Sequence, residues 1–93
     1  MIFAYVSLDI TNPASLAEYR EVAGDALAKH GGKVESAARA FTVLEGAPKQ
    51  PDMAAILSFP DKAAAVAWSE DIALQDVHNL RRGSGQSDIL LLG

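Results

Sequence analysis

Two joins of the same kind organise this chain. Asn12-Pro13 and Pro60-Asp61 each follow a strand-like apolar run, Phe3–Ile10 and Met53–Phe59, and each opens a helix-like stretch. Asn12 and Asp61 suit the position before a helix, because their side-chain oxygens accept backbone N–H groups orphaned in the first turn. Pro13 suits the first helical position, since it lacks the N–H that would be left unpaired there. A further strand-like run follows each helix. The chain therefore reads strand, helix, strand, strand, helix, strand, a split βαβ unit used twice within 93 residues.

Periodicity fills in the elements. Leu16, Tyr19, Val22, Ala23, Ala26, Leu27 and His30 recur at spacings of three and four and predict a helix over Pro13–His30. Gly31-Gly32 ends it, one glycine taking the left-handed conformation. Lys33–Leu44 reads as one long strand bent near Ala38, and Gly46–Asp52 as a turn. Small residues from Ala63 to Trp68 predict a helix over Lys62–Ser69 that can approach a sheet closely. Glu70-Asp71 marks a break, and Leu74, Val77 and Leu80 carry a helix over Ile72–Arg82. Gly83-Ser84-Gly85 ends that helix, and Asp88–Leu92 is the last strand. The expected fold is one α+β domain over residues 1–93, a ferredoxin-like βαββαβ plait: a four-stranded antiparallel sheet with the helices on one face.

The first strand asks for more cover than those helices provide. Ile2, Ala4, Val6, Leu8 and Ile10 form one alternating set, while Phe3, Tyr5 and Ser7 form most of the other. A strand buried on one face shows clean alternation, and this one does not. The hydrophobic fraction of 49% is also high for a domain this small. Both features predict a homodimer in which two open sheet faces meet as a barrel.

Charge and composition narrow the partners. Net charge is −4, and the basic residues are scattered apart from Arg81-Arg82. A nucleic-acid binder carries a basic stripe, so neither nucleic acid nor an anionic membrane is an expected partner. There is no cysteine, and His30 and His78 fit no zinc-binding spacing, so no metal and no cofactor are expected. Met1 leads straight into the first strand without a basic n-region or cleavage site. A complete cytoplasmic chain is the expectation.

An ordered set of short motifs then resembles a known family. Ala17-Glu18-Tyr19, Gly31-Gly32, Val43-Leu44-Glu45-Gly46, Phe59-Pro60, Ala67-Trp68 and Leu80-Arg81 stand in the order and spacing of the domain of unknown function 1330 family, of the dimeric α+β barrel superfamily. Ala37-Ala38-Arg39, Ser58 and Leu74 stand where members often carry Arg-Gly-Gly, Glu and Tyr. The resemblance implies the fold and the dimer. It implies no settled chemistry.

Each candidate residue has a structural and a functional reading. Tyr19 lies on the buried stripe of the first helix, as a core tyrosine or as a donor aimed into a cleft. Arg81 complements a helix C-terminus and pairs with Glu45, or clamps a carboxylate with its two-pronged guanidinium. Trp68 is core or a pocket wall, and Ser58 is a polar residue in an apolar strand. His30 sits in a last helical turn, where a cation is favourable, and His78 is expected at the rim or in solvent. Asp9 is expected to accept turn amides ahead of Asn12. These residues support a small-molecule binding dimer with a pocket between helices and sheet, lined by Tyr19, Ser58, Trp68 and Arg81, whose ligand is a small metabolite, an anion being one option. Fold analogy offers a cofactor-independent monooxygenase or a small isomerase or lactone-handling enzyme instead. A dimer without a ligand is the third alternative.

Overall fold

Both capped joins form as their residues dictate in the computed structural model, which describes residues 1–93. The Asn12 side chain accepts from the Ser15 N–H at 3.2 Å, and Asp61 accepts from Ala64 at 2.8 Å. They open α1 (Pro13–Ala28) and α2 (Lys62–Glu70). The strands are β1 (Ile2–Ile10), β2 (Lys33–Ala38), β3 (Met53–Phe59) and β4 (Gly85–Leu92), and α3 covers Gln75–Gly83. All pairings are antiparallel, in the order β2-β3-β1-β4. This is the expected plait.

Alternation on β1 sorts the molecule into two sides. Ala4, Val6 and Leu8 are buried against Leu16, Leu27, Trp68 and Leu74 from the helical layer. Phe3, Tyr5 and Ser7 point the other way. Across the sheet on that side, Tyr5 stands between Ile56 and Leu90, and Phe3 stands opposite Leu92. No helix covers this face: Phe3 is 39% exposed, Leu92 59% and Leu90 65%, while residues of the 41–51 stretch lie beside Tyr5.

Several boundaries differ from the sequence expectation for identifiable reasons. β2 stops at Ala38, paired with Ala54, because β3 begins only one residue further along at Met53 and cannot partner a longer strand. Its irregularity is a bulge between Val34 and Ser36, earlier than the bend expected near Ala38. Residues 39–52 form a connection without regular structure. α1 gives way at Gly31, which takes the left-handed φ of 71° while the Gly32 N–H returns to the Leu27 carbonyl. The Glu70-Asp71 break is real. Asp71 ends α2, and its side chain accepts from Ala73 at the head of a 3₁₀ turn, Ile72–Leu74, so α3 starts only at Gln75.

β4 gains three residues over the expected Asp88–Leu92, and Gly85 is the cause. Its φ is 149°, and it pairs with Ile10. The Ser84 carbonyl next to it accepts the N–H groups of both Thr11 and Asn12. The β1–α1 turn is therefore tied to the end of α3 and not to Asp9, whose carboxylate pairs with Lys49 at 3.1 Å.

A side chain at Gly85 would collide with the Asp9 carbonyl. Gly85→Ala is expected to cost about 2 kcal/mol or more, read as a lowered urea midpoint. Gly24 lies exposed in the middle of α1 with open space around it. Gly24→Ala is expected to raise stability by about 0.5–1 kcal/mol in the same assay.

Candidate functional site

Helix α3 buries His78 and Arg81, in line with Leu74 at the end of the preceding 3₁₀ turn. Their spacing of four and three places them on one face, so two polar groups enter the interior together. His78 is fully buried, with Nε2 2.8 Å from the Trp68 carbonyl and Nδ1 2.9 Å from Arg81 Nη1. A carbonyl only accepts and a guanidinium only donates. The ring is therefore neutral, with its proton on Nε2. Burial holds its pKa below the usual 6.5, and the positive charges of Arg81 and Arg82 push the same way. The Trp68 carbonyl opposes them.

Arg81 is only 5% exposed. Nε donates to Ser87 Oγ at 3.2 Å, and Nη1 donates to His78 and, at 3.4 Å, to the Tyr19 hydroxyl. The guanidinium carbon lies 5.5 Å from the Tyr19 ring centre and 5.3 Å from that of Trp68, so two aromatic rings supply part of its electrostatic support. No carboxylate completes it. The ion pairs of the molecule are Lys29–Asp71, His30–Asp71, Lys33–Glu35 and Lys49–Asp9. Nη2 donates to no protein group. The Trp68 Nε1 is buried and has no partner, whereas Arg81 Nη2 is not buried in this way and is open to the adjoining space.

Arg81 and Trp68 form a wall between two spaces. An inner cavity of about 310 Å³ lies between α1 and the sheet, with Tyr19, Leu27, Leu57 and Leu8 among its walls. An outer groove of about 350 Å³ lies between α2 and β4, where Ser69, Arg82 and Ser87 also reach. Neither space is lined by a carboxylate or an imidazole. The side-chain polar groups of the inner cavity are Tyr19, Arg20, Trp68 and Arg81. All can donate a hydrogen bond, and only the Tyr19 oxygen can also accept one. Such a lining suits an acceptor-rich guest with an apolar body.

Tyr19, Trp68 and Arg81 thus converge as the sequence suggests, while four other expectations are corrected. Ser58 is buried on the opposite sheet face, since it pairs with Phe3, and its hydroxyl donates to Glu35 at 2.7 Å. That bond, helped by Lys33, lowers the Glu35 pKa. Glu45 lies in the 39–52 connection beside Tyr5 and does not meet Arg81, whose contacts are all on the helical side. His78 is core and not rim. Its buried position follows the Leu74–His78–Arg81 spacing, a signal hidden by the apolar Leu74–Val77–Leu80 series. His30 does more than complement a helix end: Nε2 lies 2.8 Å from Asp71, tying α1 to the α2–α3 break. Lys29 first and His30 second hold the Asp71 carboxyl down to about 2. No group of three His, Asp or Glu side chains gathers as metal ligands, and no helix is long and apolar enough to cross a membrane.

A family model described as Domain of unknown function (DUF1330) matches residues 2–93. Among solved structures, the chain is similar to the methylated RPA0582 protein, with 20% identity and a TM-score of 0.75 over 98% of this chain and 78% of that one. A second structure of RPA0582, a protein of unknown function from Rhodopseudomonas palustris, gives 20% identity and 0.74 over 98% and 79%. A dimeric ferredoxin-like protein of unknown function from Jannaschia sp. CCS1 gives 16% and 0.66 over 99% and 97%. These likenesses show the shared fold. No curated protein matches the chain.

The buried neutral imidazole makes stability pH-dependent. His78 binds a proton more readily unfolded than folded, so stability is full above the unfolded value, about 6.5. It falls as pH drops below that value towards the lower folded one. Urea midpoints are expected to decline over this window in the wild type and to change less in His78→Gln. Asp71 acts at lower pH: its contribution is present above 3.8 and is lost as pH falls towards about 2.

Proposed function

The chain belongs to the DUF1330 family, and from that premise we propose that it is a homodimer whose subunits each bind a small anion with an apolar body in the cavity between α1 and the sheet. One observation carries the ligand: Arg81 is buried without a carboxylate, and its Nη2 has no acceptor. Buried charges are ordinarily paired, because desolvation costs several kcal/mol per ion. A carboxylate or similar oxyanion against Nη2 would supply the missing charge, with Trp68 Nε1–H and the Tyr19 hydroxyl as further donors. The hydrophobic walls would take the rest of the molecule. Acid–base turnover finds less support, since no imidazole or carboxylate lines the cavity and both nitrogens of the nearby His78 are engaged.

The dimer rests on the open sheet face. Apolar patches of several hundred Å² are uncommon on monomers. Covering such a patch on two copies offers on the order of ten kcal/mol at ~25 cal/mol per Å². Association costs about 4–15 kcal/mol, so the fit of the two faces decides the balance. The Jannaschia protein with this fold is described as dimeric.

Native mass spectrometry of freshly purified protein is expected to show a dimer and a retained anion. Titration calorimetry with benzoate tests the pocket directly. Arg81→Ala is expected to weaken binding by at least tenfold, whereas Arg82→Ala, whose side chain is exposed and bonded to Asn79, stays within about twofold. Equal effects of the two would remove Arg81 from the site. Tyr5→Asp is expected to convert the dimer to monomer in sedimentation without touching the cavity; a wild-type monomer at micromolar concentration would refute the dimer.

A further inference from the structure

We infer that the ligand is a dianion, a compact apolar body carrying two carboxylates, one held by Arg81 and the other by Arg20. The inference rests on the reading of the cavity as an anion site and adds its second anchor. Arg20 lines the inner cavity and also a cleft outside it, so it stands at the mouth. It has no ion pair, and its one side-chain contact is from Nη2 to Met53 Sδ at 3.6 Å. The one carboxylate in the outer cleft, Asp52, accepts the Ile10 N–H at 2.7 Å and forms no ion pair with Arg20.

Sheet register sets the spacing of the two residues on which the cations rest. Arg20 rests on Met53, and Arg81 donates to Ser87. Met53 and Ser87 both pair with Leu8, from opposite sides of β1. They are therefore two strand spacings apart, about 9.5 Å, on the helix-covered face. A carboxylate in bidentate contact brings its carbon within roughly 4 Å of a guanidinium carbon. A single carboxylate would have to come within that reach of both guanidinium carbons at once, whereas two on one body can each face one arginine. Between the anchors lie Leu8 and the other hydrophobic walls, which call for an apolar spacer. The cavity of about 310 Å³ is ample for a ring, as a cavity of ~150 Å³ accepts benzene.

Calorimetry with benzoate and isophthalate, which differ by one carboxylate, tests the second anchor. The wild type is expected to bind isophthalate at least tenfold more tightly than benzoate. Arg20→Ala should erase that difference while changing benzoate less than twofold. Arg39→Ala, which removes a charge from the outer cleft but not from the inner cavity, should leave the difference in place. Arg81→Ala should weaken both probes. If benzoate binds through Arg81 and isophthalate gains nothing, the dianion is overturned and the anion site stands. If Arg20→Ala and Arg39→Ala act equally, general surface charge explains the gain and the dianion is again overturned. If neither probe binds the wild type, both readings fall.

Discussion

The helical side of the molecule is arranged around a hydrogen-bonded line that runs from the Trp68 carbonyl through the His78 ring to Arg81 and on to Tyr19 and Ser87. It joins α2, α3, α1 and β4 at one point. A neutral imidazole is what makes the line continuous, because it donates on one side and accepts on the other. A protonated ring would present an N–H to a guanidinium, with no acceptor between two cations. Desolvation and the neighbouring arginines both work against that state. The fold thus positions a permanent cation with a side chain that is kept uncharged. The edge-on contact of His78 with Trp68, 4.6 Å between ring centres, fixes the indole that walls both cavities.

The two faces of the sheet have separate tasks, and β1 carries both. Ala4, Val6 and Leu8 form part of the core and floor the helical layer, while Phe3 and Tyr5 lie on the face that no helix covers. Small side chains on β1 and β3, Ala4 and Ala55, leave room between sheet and helices, whereas Trp68 and Phe59 fill the space at the end near α2. The cavity is therefore a consequence of unequal side-chain volumes along the same strands that pair regularly. Charge replacement on the face of Phe3 and Tyr5 leaves Arg81 untouched, because alternate residues of one strand point to opposite sides.

Much of the fold was legible because its signals are local. Asn12 and Asp61 cap helices through atoms within three residues, and Gly31 turns the chain by its own conformation. The end of β2 was not legible, because it depends on where β3 begins, a partner 15 residues further along. The start of β4 depends on the Asp9 carbonyl beside Gly85, across the whole length of the domain. Site residues divide in the same way. Tyr19 lies on the apolar stripe of α1 and could be placed, whereas Arg81 read as a helix-end residue and its burial beside His78 was not legible. Ser58 was misplaced because a strand flanked by Leu57 and Phe59 gives little hint of which neighbour faces the helices. Glu45 was matched to Arg81 on charge alone, and nothing in sequence spacing brings the two together.

A chain of net charge −4 keeps its one buried arginine away from all twelve of its carboxylates. Several of those carboxylates are already committed: Asp71 to Lys29 and His30, Glu35 to Ser58 and Lys33, Asp9 to Lys49. Pairing Arg81 internally would remove the desolvation cost and close the site at once, since a fixed carboxylate would occupy Nη2. The aromatic rings of Tyr19 and Trp68 offer a weaker compensation, worth about 0.5–2 kcal/mol each, that supports the charge without consuming its donors. On the proposed reading, an incoming oxyanion would remove the cost that the bare protein carries. Selectivity would follow from the same arrangement. An amine or a neutral guest relieves nothing at Arg81, and a strongly hydrated anion without an apolar body gains nothing from the hydrophobic walls.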